Sequence, residues 1–137
     1  MEKKQIIMSG KRKTSIARAV LTEGKGNISI NKRDYKTLHE FDKLKIEEPL
    51  RIAEKILGEG KFKFDVAISV KGGGEKSQIE ASRLALAKAI IQVSSSKELR
   101  DAYLEYDRNL LIADVRRKEA NKPGDSKARA MRQSSKR

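Results

Sequence analysis

Lys61–Val93, KFKFDVAISVKGGGEKSQIEASRLALAKAIIQV, is the stretch that decides the fold class. In its first half Phe62, Phe64, Val66, Ile68 and Val70 alternate with Lys61, Lys63, Asp65, Ser69 and Lys71. That period of two belongs to a strand buried on one face. Gly72-Gly73-Gly74 interrupts it, and from about Ser77 to Val93 the pattern becomes helical. Ile79, Leu86, Ile90 and Val93 form an apolar stripe, widened by Leu84, Ala87 and Ile91, while Ala81, Ala85 and Ala89 line another side. Side chains that small allow a neighbouring element to come close. A half-buried strand feeding a long helix implies a sheet covered by helices, an α+β domain.

Upstream, Ile6-Ile7-Met8 opens a short apolar run. Thr14 to Thr22 alternates as a second strand, with Ile16, Arg18 and Val20 on one side and Ala17, Ala19 and Leu21 on the other. Gly24-Lys25-Gly26-Asn27 is turn chemistry, and Ile28-Ser29-Ile30 is predicted as the return strand of a hairpin. Asn31-Lys32-Arg33-Asp34 makes a second turn. A helix is predicted from Glu48, with Pro49 at its first position, Leu50, Ala53 and Leu57 on a stripe continuing from Ile46, and Gly58 as its stop. Downstream, Ser95 and Glu98 form a capping box for a helix through Tyr106. Leu110-Leu111-Ile112 adds a last short strand. No internal repeat is visible.

Composition limits the chemistry. A chain of 137 residues has room for one domain with a modest core. Apolar and charged residues each make up 37%, and the net charge is +13, so nucleic acid is the first partner to consider and an anionic membrane surface the second. No run approaches the ~20 apolar residues of a membrane span. Met1-Glu2-Lys3-Lys4 is not followed by the apolar core of a signal peptide, so a cytoplasmic location is expected. Cysteine is absent and His39 is the single histidine, which removes disulfides, thiolate chemistry, Cys- or His-based metal clusters and Ser-His triads. Gly72-Gly73-Gly74 resembles a phosphate cradle but has neither the GxxxxGK[ST] nor the GxGxxG spacing, and reads as a strand–helix connector. Neither a catalytic residue, nor a metal, nor a cofactor, nor a small-molecule substrate is expected.

The positive charge is concentrated. Arg116, Arg117, Lys118, Lys122, Lys127, Arg129, Arg132, Lys136 and Arg137 stand against Glu119 and Asp125, a net +7 in the C-terminal stretch alone. Too little apolar surface is present there to offset the entropy of ordering, so the segment is expected to order only on a polyanion. Extended, its reach is ~70 Å. The expected organisation is a globular RNA-binding body over 1–113 and an extended basic tail over 114–137. A second cluster, Lys11, Arg12 and Lys13 with Arg18 further along the strand, is suited to phosphate oxygens. Phe62 and Phe64 share parity with Val66, Ile68 and Val70, which makes them core residues rather than a base-stacking platform. Recognition by backbone and shape is the better fit. Arg83, on the helix's apolar stripe, reads as a snorkelling side chain; His39, Glu47-Glu48 and Glu105-Asp107 read as solvated surface.

Several segments together resemble the ribosomal small-subunit protein S9 family. Gly10-Lys11-Arg12-Lys13-Thr14-Ser15-Ile16-Ala17-Arg18-Ala19 is similar to its N-terminal block, and Gly24-Lys25-Gly26-Asn27-Ile28 with Ile30-Asn31-Lys32-Arg33 to its hairpin. Gly72-Gly73-Gly74, Ser77-Gln78, Ala81, Arg83-Leu84-Ala85 and Ala87-Lys88-Ala89-Ile90 resemble its most specific signature. Asp114, Arg116, Arg117-Lys118-Glu119, Lys122-Pro123-Gly124, Lys127-Ala128-Arg129, Arg132-Gln133 and Ser135-Lys136-Arg137 resemble its C-terminal segment, and Lys122-Pro123-Gly124 with the short chain looks archaeal. Two places depart: Leu111-Ile112-Ala113-Asp114 stands where family tails often read Leu-Thr-Arg-Asp, and Ser134-Ser135 where an aromatic is common.

The resemblance implies a ribosomal protein S5 domain 2-like fold, a small mixed sheet covered by helices with a left-handed βαβ crossover, against the usual handedness. It implies a structural, non-enzymatic role: a body seated on 16S-type rRNA in the subunit head beside neighbouring head proteins. The tail would run towards P-site tRNA, with Lys136 and Arg137 on the anticodon stem-loop. Two alternatives stand beside it, a small-molecule kinase on the same fold and a general nucleic-acid packaging protein.

Overall fold

The computed structural model describes residues 5–58 and 64–112. Phe62 and its flanking lysines, and every cation of the basic C-terminal segment, lie outside the described residues. Five strands, β1 (Ile6–Arg12), β2 (Ser15–Glu23), β3 (Ile28–Ile30), β4 (Arg33–Asp34) and β5 (Phe64–Lys71), and three helices, α1 (Glu40–Leu57), α2 (Glu75–Ser94) and α3 (Lys97–Tyr106), make up the body. The sheet is mixed, in the order β1-β2-β5-β3-β4, with β3 parallel to β5 and the other pairs antiparallel.

The alternation read in the sequence is realised in the two central strands. Ala17, Ala19 and Leu21 of β2 and Val66, Ile68 and Val70 of β5 are buried. Their alternate neighbours Ile16, Arg18, Ala67, Ser69 and Lys71 are exposed. Helix α2 packs over β1 and β2, α1 lies against α2, and α3 against α1, so all three helices sit on one side of the sheet. The small residues of α2 explain how closely β1 approaches. A side chain at Gly10 would be driven into the backbone of Ala81 and Ala85, and Lys88 Nζ donates to the Ser9 carbonyl at 3.2 Å.

The hairpin expected across Gly24–Asn27 does not form. Strand β3 pairs with β5, and β5 occupies the place beside β2. The cause is a long-range contact: the Asp65 carboxylate accepts from the amides of Lys25, Gly26 and Asn27 at 3.1, 3.2 and 3.0 Å. Those donors are thereby satisfied by β5, and the turn carries the chain past it. The sheet's tight hairpins are elsewhere. Lys13-Thr14, with Lys13 at φ 54°, joins β1 to β2. Asn31-Lys32, both at positive φ (50° and 68°), joins β3 to β4 with the backbone that a two-residue type I′ turn requires.

Helix α1 begins at Glu40, so Pro49 lies inside it and not at its first position. Its buried residues Asp42, Ile46, Pro49 and Ala53 keep helical spacing through the proline. Packing along that face offsets the ~3 kcal/mol a mid-helix proline costs. Gly58, at φ 95°, ends the helix as expected. Two further readings shift. Ser96, not Ser95, caps α3 by accepting from the Leu99 amide at 3.2 Å, while Ser95 closes α2 in the left-handed conformation. Arg108–Leu110 forms a 3-10 turn and not a strand, because Asp107 caps it through the Asn109 amide and Leu110 is fully buried.

Candidate nucleic-acid interface

The side of the sheet away from the helices carries exposed side chains. Strand register sets its pattern: Lys11, Ile16 and Lys71 stand abreast in one rank, and Ser9, Arg18 and Ser69 in the next. Neighbouring strands are ~4.8 Å apart, so Lys11 and Lys71 flank Ile16 about 10 Å from each other. Lys13, at the tip of the β1–β2 hairpin, is exposed beside them. Thr14, Ile16, Arg18, Ser69, Lys71 and Gly72 line an open groove of about 600 Å³. The exposed positions of β1, β2 and β5 include no aromatic residue; Phe64 is half-buried and packed against the core. Base stacking therefore has no platform on these strands.

Lys11, Lys13 and Arg18 are thus brought together on or beside one open surface. Arg12 does not join them. Its parity turns it towards α2, where Nε donates to Glu80 Oε2 at 2.6 Å and only 14% of the side chain remains exposed. Lys71 belongs to the cluster but is absent from the sequence-derived set. The signal for it was parity, which had already placed it opposite the buried side of β5; what was missing was the knowledge that β5 lies beside β2.

The glycine turn ahead of α2 is built for packing. Gly72 and Gly73 take φ of 81° and 64°. The Gly72 carbonyl accepts from Ser15 Oγ at 2.9 Å and from Gln78 Nε2 at 3.0 Å, and a side chain at Gly73 would strike the buried Ser15 hydroxyl. These contacts lock the β5–α2 connection to the start of β2, as a strand–helix connector requires. Arg83 is more than a snorkelling side chain. Its Nη2 donates to Glu48 Oε2 at 2.5 Å and to Asp107 Oδ2 at 3.2 Å, tying α2 to α1 and to the end of α3.

The chemistry is otherwise plain. Tyr103 is fully buried and donates to the Pro49 carbonyl at 2.6 Å, and burial holds its pKa well above the ordinary tyrosine value. Tyr35 is raised as well, first by burial and then by the nearby charges of Glu47 and Asp34. Among the described residues no group of His, Cys, Asp or Glu is placed to hold a metal, and no helix is long and apolar enough to cross a membrane.

The body is thus a helix-backed sheet with a cationic open side, joined in sequence to a basic segment. Comparison with known proteins makes this specific. The family model for ribosomal protein S9/S16 matches residues 10–137. The small ribosomal subunit protein uS9 of Methanococcus vannielii is 47% identical over 129 residues, covering 92% of this chain and 93% of the relative. That of Thermoplasma volcanium is 44% identical over 133 residues, covering 95% and 96%. The chain belongs to the ribosomal protein S9/S16 family, in agreement with the resemblance read from its motifs, and the similar proteins are archaeal. It is a structural constituent of the small ribosomal subunit and not an enzyme.

Proposed function

We propose that the chain binds 16S-type rRNA in the head of the small subunit through the open side of its sheet and its basic C-terminal segment. Its last residues would then hold P-site tRNA. The observation that carries the reading is the convergence of Lys11, Lys13 and Arg18 on or beside a surface that, among the described residues, no helix covers. Phosphate contacts by these cations position the body, and counterion release supplies much of the affinity. Arg12, paired with Glu80, positions the hairpin from behind.

The proposed organisation is a body over 1–113 with the S5 domain 2-like fold and a left-handed crossover from β3 through α1 to β5. A tail over 114–137 follows it. In the tail, Arg116, Arg117, Lys118, Lys122, Lys127, Arg129 and Arg132 neutralise rRNA phosphates where helices crowd, and Lys136 and Arg137 meet phosphates of the tRNA anticodon stem-loop. Neighbouring head proteins would contact the body.

The test is reconstitution of small subunits with the chain lacking Lys136 and Arg137. Assembly should proceed and P-site tRNA should bind more weakly; normal tRNA affinity in these subunits would contradict the tRNA assignment. A chain lacking everything from Arg116 onward should incorporate poorly, and full incorporation would mean that the body suffices.

A further inference from the structure

The groove between β2 and β5 contains groups beyond the cations read from the sequence. Lys71 stands across Ile16 from Lys11, and Ser69 stands beside Arg18. Ile16 is 54% exposed at the centre of a cationic rank, apolar surface that only an occupant removes from water. Neither rank holds a carboxylate, and the Asp65 carboxylate, further along β5, is occupied by the amides of residues 25–27. An anionic chain laid along the groove therefore meets cations on both flanks, an aliphatic floor, and the hydroxyls of Ser69 and Thr14.

We infer that this groove seats the sugar–phosphate backbone of one RNA strand. Phosphates lie on Lys71 and Arg18, a ribose packs on Ile16, and its 2′-hydroxyl comes within reach of Ser69. The inference rests on the rRNA-binding reading and deepens it by adding Lys71, Ser69 and Ile16 to the contact surface. The charge selects a polyanion, the lack of exposed aromatics on these strands directs recognition to backbone and not base, and the hydroxyls favour ribose over deoxyribose.

The experiment uses the full chain and a transcript of the small-subunit rRNA head domain, with Kd measured across a salt series. Wild type should bind and weaken steeply with salt; no binding would overturn the rRNA reading itself. With wild-type binding in place, Lys71→Gln should weaken binding roughly fivefold and lower the salt slope by about 0.7. Lys71→Arg should restore both. Ile16→Ser should weaken binding with the slope unchanged, because it removes packing and no charge, whereas Lys97→Gln on α3 should do neither. An unchanged Kd and slope for Lys71→Gln, or wild-type affinity for Ile16→Ser, would overturn the groove while leaving the rRNA reading intact.

Discussion

Arg12 and Arg18 belong to one hairpin, yet they face opposite ways. Arg12 points to the helices and is held by Glu80, which also lies 3.8 Å from Lys45. Arg18 points away, between Ser9 and Ser69, on the uncovered side. The difference comes from the pleat and the hairpin register together: Arg18 stands abreast of Ser9, three positions from Arg12 along β1, and positions an odd number apart project to opposite faces. In a chain with 32 lysines and arginines, charge count says little about which cations can reach a ligand. Strand parity sorts them, sending some into the body's ion pairs and presenting others to solvent. The same sorting separates the buried alanines of β2 from Ile16 beside them.

The largest expected effect lies on the covered side. Leu21→Ala or Ile68→Ala should cost about 2–5 kcal/mol in urea denaturation, since both side chains are almost completely buried among the helices. Ile16→Ala, on the opposite side of the same strand as Leu21, should stay within about 0.5 kcal/mol. Comparable losses at Ile16 and Leu21 would erase the distinction between the two faces.

Next in size is Tyr103→Phe, which removes the buried hydrogen bond from the Tyr103 hydroxyl to the Pro49 carbonyl and should cost about 1–2 kcal/mol near neutral pH. It should also alter alkaline stability. The folded-state pKa of Tyr103 is raised, so its contribution is complete below the ordinary value of 10.0 and is lost as pH rises above it. The Phe variant should therefore lose less stability than wild type between neutral and strongly alkaline pH, and parallel curves would contradict this.

Arg83→Met sharpens the comparison within the helix layer. It removes the donor shared by Glu48 and Asp107 and should cost about 1–2 kcal/mol, with RNA affinity little changed. Loss of RNA binding at unchanged stability would instead place Arg83 at the interface.

Much of this body was legible in its residues, and the failures have a common source. The buried sides of β2 and β5, the long helix α2 and the stop at Gly58 follow from local periodicity and turn chemistry. The hairpin error at Gly24–Asn27 arose because Asp65, distant in sequence, takes up the turn's amides. The late start assigned to α1 arose because tertiary packing carries the helix through Pro49, against its local preference. Ser95 and Ser96 offer a capping hydroxyl in adjacent positions, and only the left-handed turn at Ser95 decides between them. At the candidate interface, Lys11, Lys13 and Arg18 were readable as a cluster. Arg12's commitment to Glu80 and Lys71's place beside Ile16 depend on which elements become neighbours, which local patterns do not encode.

The most direct measurement compares Arg12→Gln with Arg18→Gln, reading both urea stability and the salt dependence of binding to the rRNA head-domain transcript. Arg18→Gln should lower the salt slope by about 0.7 and leave stability within about 0.5 kcal/mol. Arg12→Gln should cost about 0.5–1 kcal/mol of stability and leave the slope unchanged. Equal loss of slope in both variants, or the reverse assignment, would contradict the sorting of cations by strand face.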